Sequence, residues 1–252
     1  MTDLSRRKLI KTGLAAAAGA SGLGLAARFA QKYGLIPPDH GGIYGPGETL
    51  NYACQQLLAK HSLAREFPRS QISKRPLANE MPPPNEAFKR LQAGGFADWR
   101  LSVDGMVERP ASFSLAELKS HPSRSQITEL ACEEGWSYIA EWTGVPLSHV
   151  LELVGTQPQA RYVVYFSIDT DWWDSMDVAD ATHPQTFLAY GMNGSDLPVG
   201  HGGPLRMRIP RQLGYKNVKF ITRLTVTDSL KRFGQGLGSA SPEAGYAWYA
   251  GV

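Results

Sequence analysis

Cysteine is scarce in this sequence of 252 residues, and its scarcity excludes several kinds of site. The chain has two cysteines, Cys54 and Cys132, which are too few for a disulfide framework and too far apart for a Cys-x-x-Cys motif. A Cys-x-x-Cys-His sequence is also absent, which excludes covalent haem attachment. Neither a Walker A sequence nor a Gly-x-Gly-x-x-Gly fingerprint occurs, so nucleotide binding by those two routes is not expected.

Excess charge of one sign is missing outside the first 30 residues. The formal net charge is +3, but residues 1–30 carry five lysines or arginines against one aspartate, so the rest of the chain is close to neutral. A neutral body lacks the basic surface that nucleic acid requires, and we expect no nucleic-acid partner. The 17 prolines and 26 glycines indicate a loop-rich domain more than a helical bundle.

A long hydrophobic run is also lacking, and this bears on the N-terminus. The segment Ser5-Arg-Arg-Lys-Leu-Ile-Lys11 precedes an apolar stretch, Thr12 to Ala27, that is shorter than the ~20 residues of a membrane-spanning helix. A basic segment before a short apolar one is typical of a secretory signal, and Arg6-Arg7 resembles the twin-arginine export motif. We therefore expect residues 1–30 to direct export to the periplasm by the twin-arginine route, with a membrane anchor as the alternative. Because this route carries folded proteins, it favours a cofactor inserted before export.

Residues 31–94 are predicted to form an arm ahead of the main domain. Within it, Glu48 to Arg65 has apolar residues at helical spacing and is predicted to be one amphipathic helix, with Cys54 as a small buried side chain on its apolar face. A disulfide from Cys54 to Cys132 is the alternative in an oxidising compartment. Long connectors such as the one that follows usually lie across a surface or a site, so we expect part of the arm to cover the functional site.

Residues 95–230 are predicted to form a mixed α+β domain. Segments with the apolar pattern of strands alternate with short helices and turns, which is typical of mixed β-sheets with short helices. The predicted strands are 99–105, 126–131, 161–167, 187–192, 205–210 and 218–227. The remaining segment, 231–252, is rich in glycine, alanine and aromatic residues, and is expected to dock on the body or on a partner.

The connections between these strands carry local signals. Ser114 and Glu117 form a capping box that opens a short helix, and Pro146 suits the first turn of a helix that runs to Leu153. Asn193-Gly194 predicts a hairpin. Two further connections, Trp142–Ser148 and Asp169–Asp174, are predicted to be a turn and a loop.

Cys132 ends the strand predicted over 126–131 and is followed by Glu133 and Glu134. A thiolate binds soft metals, but one cysteine without a nearby histidine or second cysteine does not form a zinc site. Three interpretations stay open: a nucleophile, a core thiol, or the ligand of a metal held mainly by a non-protein group. The two acids count against a nucleophile, since a reactive thiolate needs nearby positive charge.

Two later segments combine glycines with hydrogen-bond donors. Gly200–Arg206 places His201 and Arg206 beside glycines that let the backbone approach a ligand closely. Pro210–Lys219 places three basic residues around a glycine turn, a pattern that suits phosphate. The alternatives are an ordinary tight turn and a solvated basic hairpin.

Taken in order, these segments resemble the sulfite oxidase-type molybdenum oxidoreductases. The resemblance covers roughly residues 95–230, and with the N-terminal signal it is most similar to the exported bacterial branch, which includes periplasmic methionine sulfoxide reductase catalytic subunits. The segments that carry it are the strand ending at Cys132, Trp142-Thr-Gly-Val-Pro-Leu147, Leu188-Ala-Tyr-Gly-Met-Asn-Gly194, His201-Gly-Gly-Pro-Leu-Arg206 and Gly214-Tyr-Lys-Asn-Val-Lys219.

The resemblance implies an enzyme with a sulfite oxidase-type molybdopterin-binding fold and one molybdenum–molybdopterin cofactor. In that family the pterin dithiolene and one protein thiolate hold the metal, and Cys132 matches the thiolate, which makes it the metal ligand and catalytic residue. The positions that match cofactor contacts are Ser167, His201, Arg206, Asn217, Val218 and Lys219, the last three in a phosphate-binding turn.

The substrate is inferred from charge. Sulfite oxidation needs cations around a dianion, whereas Cys132 is followed by Glu133 and Glu134, with no arginine before Arg161. We therefore expect two-electron oxygen-atom transfer that reduces a neutral S-oxide or N-oxide, either a small molecule or protein-borne. A sulfite dehydrogenase and a non-catalytic secreted binding protein of the same fold are the alternatives. Without a haem motif, electrons are expected from a membrane haem- or quinone-linked subunit or a soluble cytochrome.

Overall fold

The computed structural model describes residues 25, 28–30, 32–41, 43–79, 85–168 and 172–252, apart from the side chain of Glu243. The twin-arginine signal and residues 169–171 of the predicted loop therefore lie outside the described residues. The chain forms two compact units, Met1–Leu58 and Ala59–Val252, which are treated separately below. In the part of the chain that the structure describes, no helix has the length and apolar character needed to cross a membrane.

The first unit contains helix α1, Gly45–Cys54, which continues into a wider π-helical turn, Gln55–Ala59, whose last residue is the first of the second unit. The predicted helix over 48–65 thus begins earlier and ends sooner. The predicted apolar face is not buried: Leu50, Leu57 and Leu58 are exposed, and so is Cys54, which corrects its prediction as a core residue, whereas Tyr52 of the same helix is buried. Helical spacing shows which residues share one face of a helix, but it does not show whether another element packs against that face. Both cysteines are free thiols, so the disulfide alternative is wrong.

The second unit is built from two β-sheets, one mixed and one antiparallel, and short helices. The strands are β1 Arg100–Gly105, β2 Ala111–Ser114, β3 Arg124–Ala131, β4 Ser137–Pro146, β5 Tyr162–Ser167, β6 Trp173–Asp177, β7 Phe187–Met192, β8 Ser195–Asp196, β9 Arg206–Arg208 and β10 Ile221–Thr227. The helices are α2 Glu86–Ala93, α3 Leu115–Ser120, α4 Leu147–Leu153 and α5 Val178–Ala181.

The strands are ordered β2-β1-β10-β5-β6 in one sheet and β3-β4-β7-β8 in the other, where β9 also pairs with β7. Only the β1–β10 pairing is parallel among these ladders, which makes the first sheet mixed. The main apolar core lies around β1, β5 and β10, and a second core lies between β3, β4 and β7. The α+β prediction is confirmed.

Several local predictions are confirmed at the level of single residues. The capping box of Ser114 and Glu117 opens α3, and α4 runs to Leu153 from Pro146 as its N-cap. The β7–β8 hairpin turns at Asn193 and Gly194 with φ of 53° and 80°, the left-handed pair that a type I′ turn requires.

Two predicted connections are instead strands. The segment 142–146 completes β4, and Gly144 lies so close to β7 that a Cβ there would be 2.0 Å from the Leu188 carbonyl oxygen. This glycine allows strands to approach each other and does not make a turn. Likewise Trp173 and Asp174 begin β6, whose positions 174–177 are all buried.

The second half of the predicted arm runs along the second sheet. Glu66 forms a bridge with Thr128 of β3, and the Ser73 amide donates to the Ile139 carbonyl of β4. The segment at the other end of the chain, 231–252, docks on the body, and its Trp248 is almost completely buried.

Candidate cofactor site

Cys132 lies in the tight connection between β3 and β4. Its amide donates to the Trp136 carbonyl at 2.8 Å, and the Gly135 amide donates back to the Cys132 carbonyl at 3.1 Å. Gly135 has φ of 90°, which favours glycine at this position of the turn. The ladder of β3 and β4 fixes the turn through the pair Ala131 and Ser137. The Cys132 side chain is buried, so the strand end presents one thiol in a fixed position.

Two carboxylates lie close to this sulfur. The Cys132 Sγ is 3.4 Å from Glu133 Oε2 and 3.8 Å from Glu134 Oε2. Burial raises the pKa of the Cys132 thiol to about 11, and the negative charges of the two acids add to the increase. The thiol is therefore protonated at neutral pH, which argues against an activated nucleophile. A bound metal cation reverses this balance, because a coordinating thiol loses its proton.

An aromatic pair connects this turn to the predicted loop at 200–206. The Trp136 ring stacks on Tyr138 with centroids 6.0 Å apart, and its Nε1 donates to Glu134 Oε2 at 2.8 Å. The Tyr138 hydroxyl lies 3.2 Å from His201 Nδ1. Burial, with the nearby charges of Arg206 and Lys219, lowers the pKa of His201 to about 4, so this imidazole is neutral at physiological pH.

The loop at 200–206 and the turn at 214–219 form one cluster. Arg206 donates from Nη1 to the His201 carbonyl at 2.8 Å and from Nη2 to the Asn217 carbonyl at 2.7 Å. Lys219 Nζ donates to the Gly200 carbonyl at 3.1 Å. Gly202 has φ of 102°, and a Cβ there would be 2.8 Å from Lys219 Cγ, so only glycine lets the lysine pass.

The turn also packs directly against Cys132. A Cβ on Gly214 would be 3.3 Å from the Cys132 Cα and 3.3 Å from the Ala131 carbonyl oxygen. Ser167 reaches the same region from the other sheet: it pairs with Ile221, and the amide of the next residue donates to the Phe220 carbonyl at 2.8 Å. The seven residues predicted from the sequence therefore lie in one connected region around residues 201–221.

Asn217 serves the turn itself. Its Oδ1 accepts from Arg208 Nη1 at 2.8 Å and from the Ile209 amide at 2.7 Å, and its Nδ2 donates to the Leu213 carbonyl at 2.9 Å. Its backbone is also engaged, since the Asn217 amide donates to the Gly214 carbonyl at 2.9 Å and its carbonyl accepts from Arg206, so Asn217 fixes the shape of the turn that leads to the buried Val218.

Arg208 is a residue that sequence reasoning missed. It is fully buried, stacks over Trp142 at 5.0 Å, and donates from Nη2 to Thr128 Oγ1 at 3.1 Å and to the Glu129 carbonyl. These partners are all neutral, and its Nε has no hydrogen-bond partner among the described residues. Burial and the neighbouring Arg206 lower its pKa to about 9. The available signal was a second arginine two positions after Arg206 in a short strand.

Two of the three basic residues in the predicted anion turn, Lys216 and Arg211, are paired with aspartates. Buried Lys216 donates to Asp174 and, at 2.8 Å, to the Ser175 carbonyl, while Arg211 Nη1 lies 3.0 Å from Asp180 Oδ1. Lys219 is the basic residue that remains on the side of the 200–206 loop. There its Nζ also meets Asn79 Oδ1 of the arm at 3.2 Å.

The donor set fits a molybdopterin that carries a soft metal. A single buried thiol suits a metal whose other ligands come from the cofactor, and no group of three or more His, Cys, Asp or Glu side chains converges among the described residues. Buried Arg208, whose named partners are uncharged, Arg206 and Lys219 provide positive charge for an anionic cofactor with a phosphate. Arg208 Nε and Trp142 Nε1 are buried hydrogen-bond donors that have no partner among the described protein atoms.

Comparison with known proteins agrees with this donor set. Residues 89–232 match the family described as oxidoreductase molybdopterin binding domain. Over 195 residues the chain is 37% identical to a protein-methionine-sulfoxide reductase subunit, YedZ1, of Azospira oryzae, which covers 77% of this chain and 70% of that protein. It is 35% identical over 162 residues to the protein-methionine-sulfoxide reductase catalytic subunit MsrP of Xanthomonas axonopodis pv. citri, which covers 58% of this chain and 49% of that one.

The fold has a counterpart among solved structures. The crystal structure of the sulfane dehydrogenase SoxCD from Paracoccus pantotrophus superposes with a TM-score of 0.51 at 22% identity, over 68% of this chain and 46% of that one. This likeness supports the sulfite oxidase-type α+β fold. The chain spans about half the length of the MsrP relative, so that protein's activity is not carried over as a whole.

Proposed function

We propose that this chain, which belongs to the oxidoreductase molybdopterin-binding domain family and is an enzyme with a molybdenum–molybdopterin cofactor, reduces a neutral S-oxide. The names of its relatives support methionine sulfoxide carried by a protein as the substrate, with small S-oxides or N-oxides as simpler analogues. The overall reaction converts a sulfoxide, two electrons and two protons to a sulfide and water.

One observation carries this choice of substrate: the carboxylates of Glu133 and Glu134 are 3.4 and 3.8 Å from the Cys132 sulfur. Two unit charges about 4 Å apart repel by about 1 kcal/mol even in water, and more in a partly buried site. Sulfite, a dianion, would meet this repulsion from both acids, whereas a neutral sulfoxide would not. The stacked Trp136 and Tyr138 beside the same turn offer an apolar surface to a thioether.

Each site residue has a separate role in holding the cofactor. When bound, the cofactor supplies two-electron oxygen-atom-transfer chemistry. Cys132 ligates the metal, and the stiff β3–β4 turn fixes the position of its sulfur. Neutral His201 offers a hydrogen bond to the pterin region. Arg206 and Lys219 would supply positive charge for its phosphate, with Ser167 in the same region.

Asn217 and Val218 belong to the turn that would bind the phosphate. Asn217 serves this turn by fixing its shape, because its side chain and its amide are both occupied within it. The electrons come from a membrane haem- or quinone-linked subunit or from a soluble cytochrome, and the words "subunit" and "catalytic subunit" in the relatives' names support such a partner. Export to the periplasm by the twin-arginine route rests on Arg6-Arg7 and the apolar stretch after it.

The test uses full-length protein from cells that make the cofactor. Molybdenum content and the released pterin are measured first. Sulfoxide reduction is then followed with reduced viologen as electron donor and a protein that contains methionine sulfoxide as substrate. Sulfite oxidation is followed separately with an oxidised electron acceptor. We expect stoichiometric molybdenum, reduction of the sulfoxide, and little sulfite oxidation. Cys132→Ser should abolish turnover and weaken molybdenum retention.

A matched pair of variants examines the charge argument. Glu133→Gln and Glu134→Gln keep the size of each side chain but remove its charge, so sulfite oxidation should rise relative to sulfoxide reduction. Efficient sulfite oxidation by the unmodified protein, or normal turnover by Cys132→Ser, would contradict the proposal.

A further inference from the structure

We propose that the C-terminal segment, residues 231–252, is a positioning element for the cofactor: it holds the turn at 214–219, which also packs against Cys132. The inference rests on the proposed assignment of that turn to the cofactor phosphate. It concerns a part of the chain that carries no predicted site residue and that lies almost wholly beyond the matched family region, which ends at residue 232.

The backbone of the C-terminal segment pairs with the residues that lead into the turn. The Leu213 amide donates to the Ala250 carbonyl at 3.0 Å, and the Val252 amide donates to the Arg211 carbonyl at 3.0 Å. Gln212 and Gly251 form the antiparallel bridge between these two bonds. The last residues of the chain thus act as a short strand against 211–213, immediately before the turn begins at Gly214.

Side chains extend this contact to the turn itself. The Tyr215 hydroxyl donates to the Ala247 carbonyl at 2.7 Å, and its ring stacks on Tyr246 with centroids 5.0 Å apart. Trp248 is almost completely buried, and its ring lies 5.4 Å from Lys216 Nζ. Two consecutive residues of the turn are therefore held by three consecutive residues of the C-terminal segment.

The segment also closes the buried ion pair behind the turn. Lys216 and Asp174 are both fully buried, and Ser241 Oγ donates to Asp174 Oδ2 at 2.8 Å. Trp248 Nε1 donates to Ser175 Oγ at 2.8 Å. A buried ion pair is stable only if its remaining polar atoms are satisfied, and the C-terminal segment supplies these contacts.

The contacts of the turn with the strand that ends at Cys132 explain why this support concerns the cofactor. Gly214 rests against the backbone of Cys132, and Asn217 is tied through Arg208 to Thr128 in the strand that ends at that cysteine. The turn thus contacts both the strand that presents the thiol and the C-terminal segment. If the segment is loosened, the turn loses the contacts at Tyr215 and Lys216, and the spacing between thiol and phosphate site is less tightly fixed.

The test compares cofactor retention in the loaded full-length protein. Trp248→Ala should release molybdenum and pterin about tenfold faster than the unmodified protein during timed ultrafiltration, a difference easily resolved by metal analysis. Leu118→Ala is the matched control: this core residue of α3 is fully buried in the same unit but lies outside the turn and its contacts. It should lower the unfolding temperature to a similar extent while releasing cofactor at the unmodified rate.

Two milder variants keep the inference testable if Trp248→Ala does not fold. Trp248→Phe keeps a ring but removes the bond to Ser175, and Ser241→Ala removes one hydroxyl from Asp174; each should accelerate release, by about threefold. Equal release rates for the tail variants and for Leu118→Ala would overturn the inference.

Lys219→Ala separates this inference from the site assignment on which it rests. If Lys219→Ala releases the cofactor quickly and the tail variants do not, only the role of the C-terminal segment is wrong. If none of these variants changes release, the assignment of the turn to the cofactor fails, and the inference fails with it. Rapid release from Lys219→Ala and from the tail variants supports both the assignment of the turn and the role of the C-terminal segment.

Discussion

In the cofactor-free protein, the thiol of Cys132 should resist alkylation at neutral pH. At pH 8 an ordinary cysteine with a pKa of about 8.5 is roughly one-quarter ionised. A thiol with a pKa of about 11 is ionised to only about 0.1% at this pH. The more basic thiolate is also the stronger nucleophile. For a Brønsted coefficient of about 0.4–0.5, its higher reactivity offsets about tenfold of the difference in ionised fraction. The net expectation is alkylation about 20-fold slower than that of a free thiol, and burial of the sulfur slows it further.

The assay uses the Cys54→Ser background, so that Cys132 is the single thiol, with iodoacetamide as reagent and a short cysteine peptide with blocked termini as reference. The rate should rise about tenfold for each pH unit from 8 to 10, because the ionised fraction grows in this way below the pKa. Removing one carboxylate charge about 3.5 Å from the sulfur changes the thiolate energy by about 1 kcal/mol in a water-like medium. Glu133→Gln with Glu134→Gln should therefore accelerate alkylation by about fivefold after the loss of nucleophilicity is included.

Two results would refute this reasoning. If Cys132 reacts as fast as the reference peptide at pH 8, the sulfur is ionised without a metal and the argument against a nucleophile fails. If the double glutamine variant reacts more slowly than its parent, the acids do not act on the sulfur as their distances indicate. In protein loaded with molybdenum cofactor, we expect Cys132 to be protected, since coordination to the metal withdraws electron density from the sulfur and lowers its nucleophilicity.

Three further outcomes follow from other parts of the second unit. Gly202→Ala forces a side chain into a left-handed position and against Lys219, so it should cost about 1–2 kcal/mol in denaturant unfolding and weaken molybdenum retention. Ser114→Ala removes only the cap of α3, so it should cost about 0.5–2 kcal/mol in unfolding while retention and turnover stay unchanged. Asp174→Ala leaves the Lys216 charge buried without its partner, and should destabilise the protein by about 3–5 kcal/mol as measured by thermal or denaturant unfolding.

Local signals made much of the second unit predictable. The capping box at Ser114, the Asn193-Gly194 hairpin and the apolar segments at 161–167 and 187–192 each depend on residues close in sequence, and the structure contains all of them. The site residues came together for a related reason. A strand end, a glycine loop and a glycine turn each present fixed backbone, so few arrangements can satisfy all of them around one ligand.

Predictions that depended on distant partners failed. Gly144 is predicted to be a turn residue until β7 is placed against it, and Cys54 is predicted to be a core residue until the structure places it on the exposed side of helix α1. Lys216 reads as part of an anion site because nothing nearby in sequence shows that Asp174 will neutralise it. In each case the residue type was identified correctly, but its partner lies in an element far away along the chain.

The distribution of buried charge is what separates the structural cations from those that can serve a cofactor. Lys216 and Arg211 each have a buried aspartate, so their charges are already compensated within the protein. Arg208, equally buried, is surrounded by amide, hydroxyl and carbonyl oxygens that solvate its charge without balancing it. Burying an uncompensated cation is costly, and its pKa is lowered accordingly. An anionic cofactor bound between this arginine and the Cys132 turn would offset that cost, and would explain why the strand that presents the thiol is tied to Arg208.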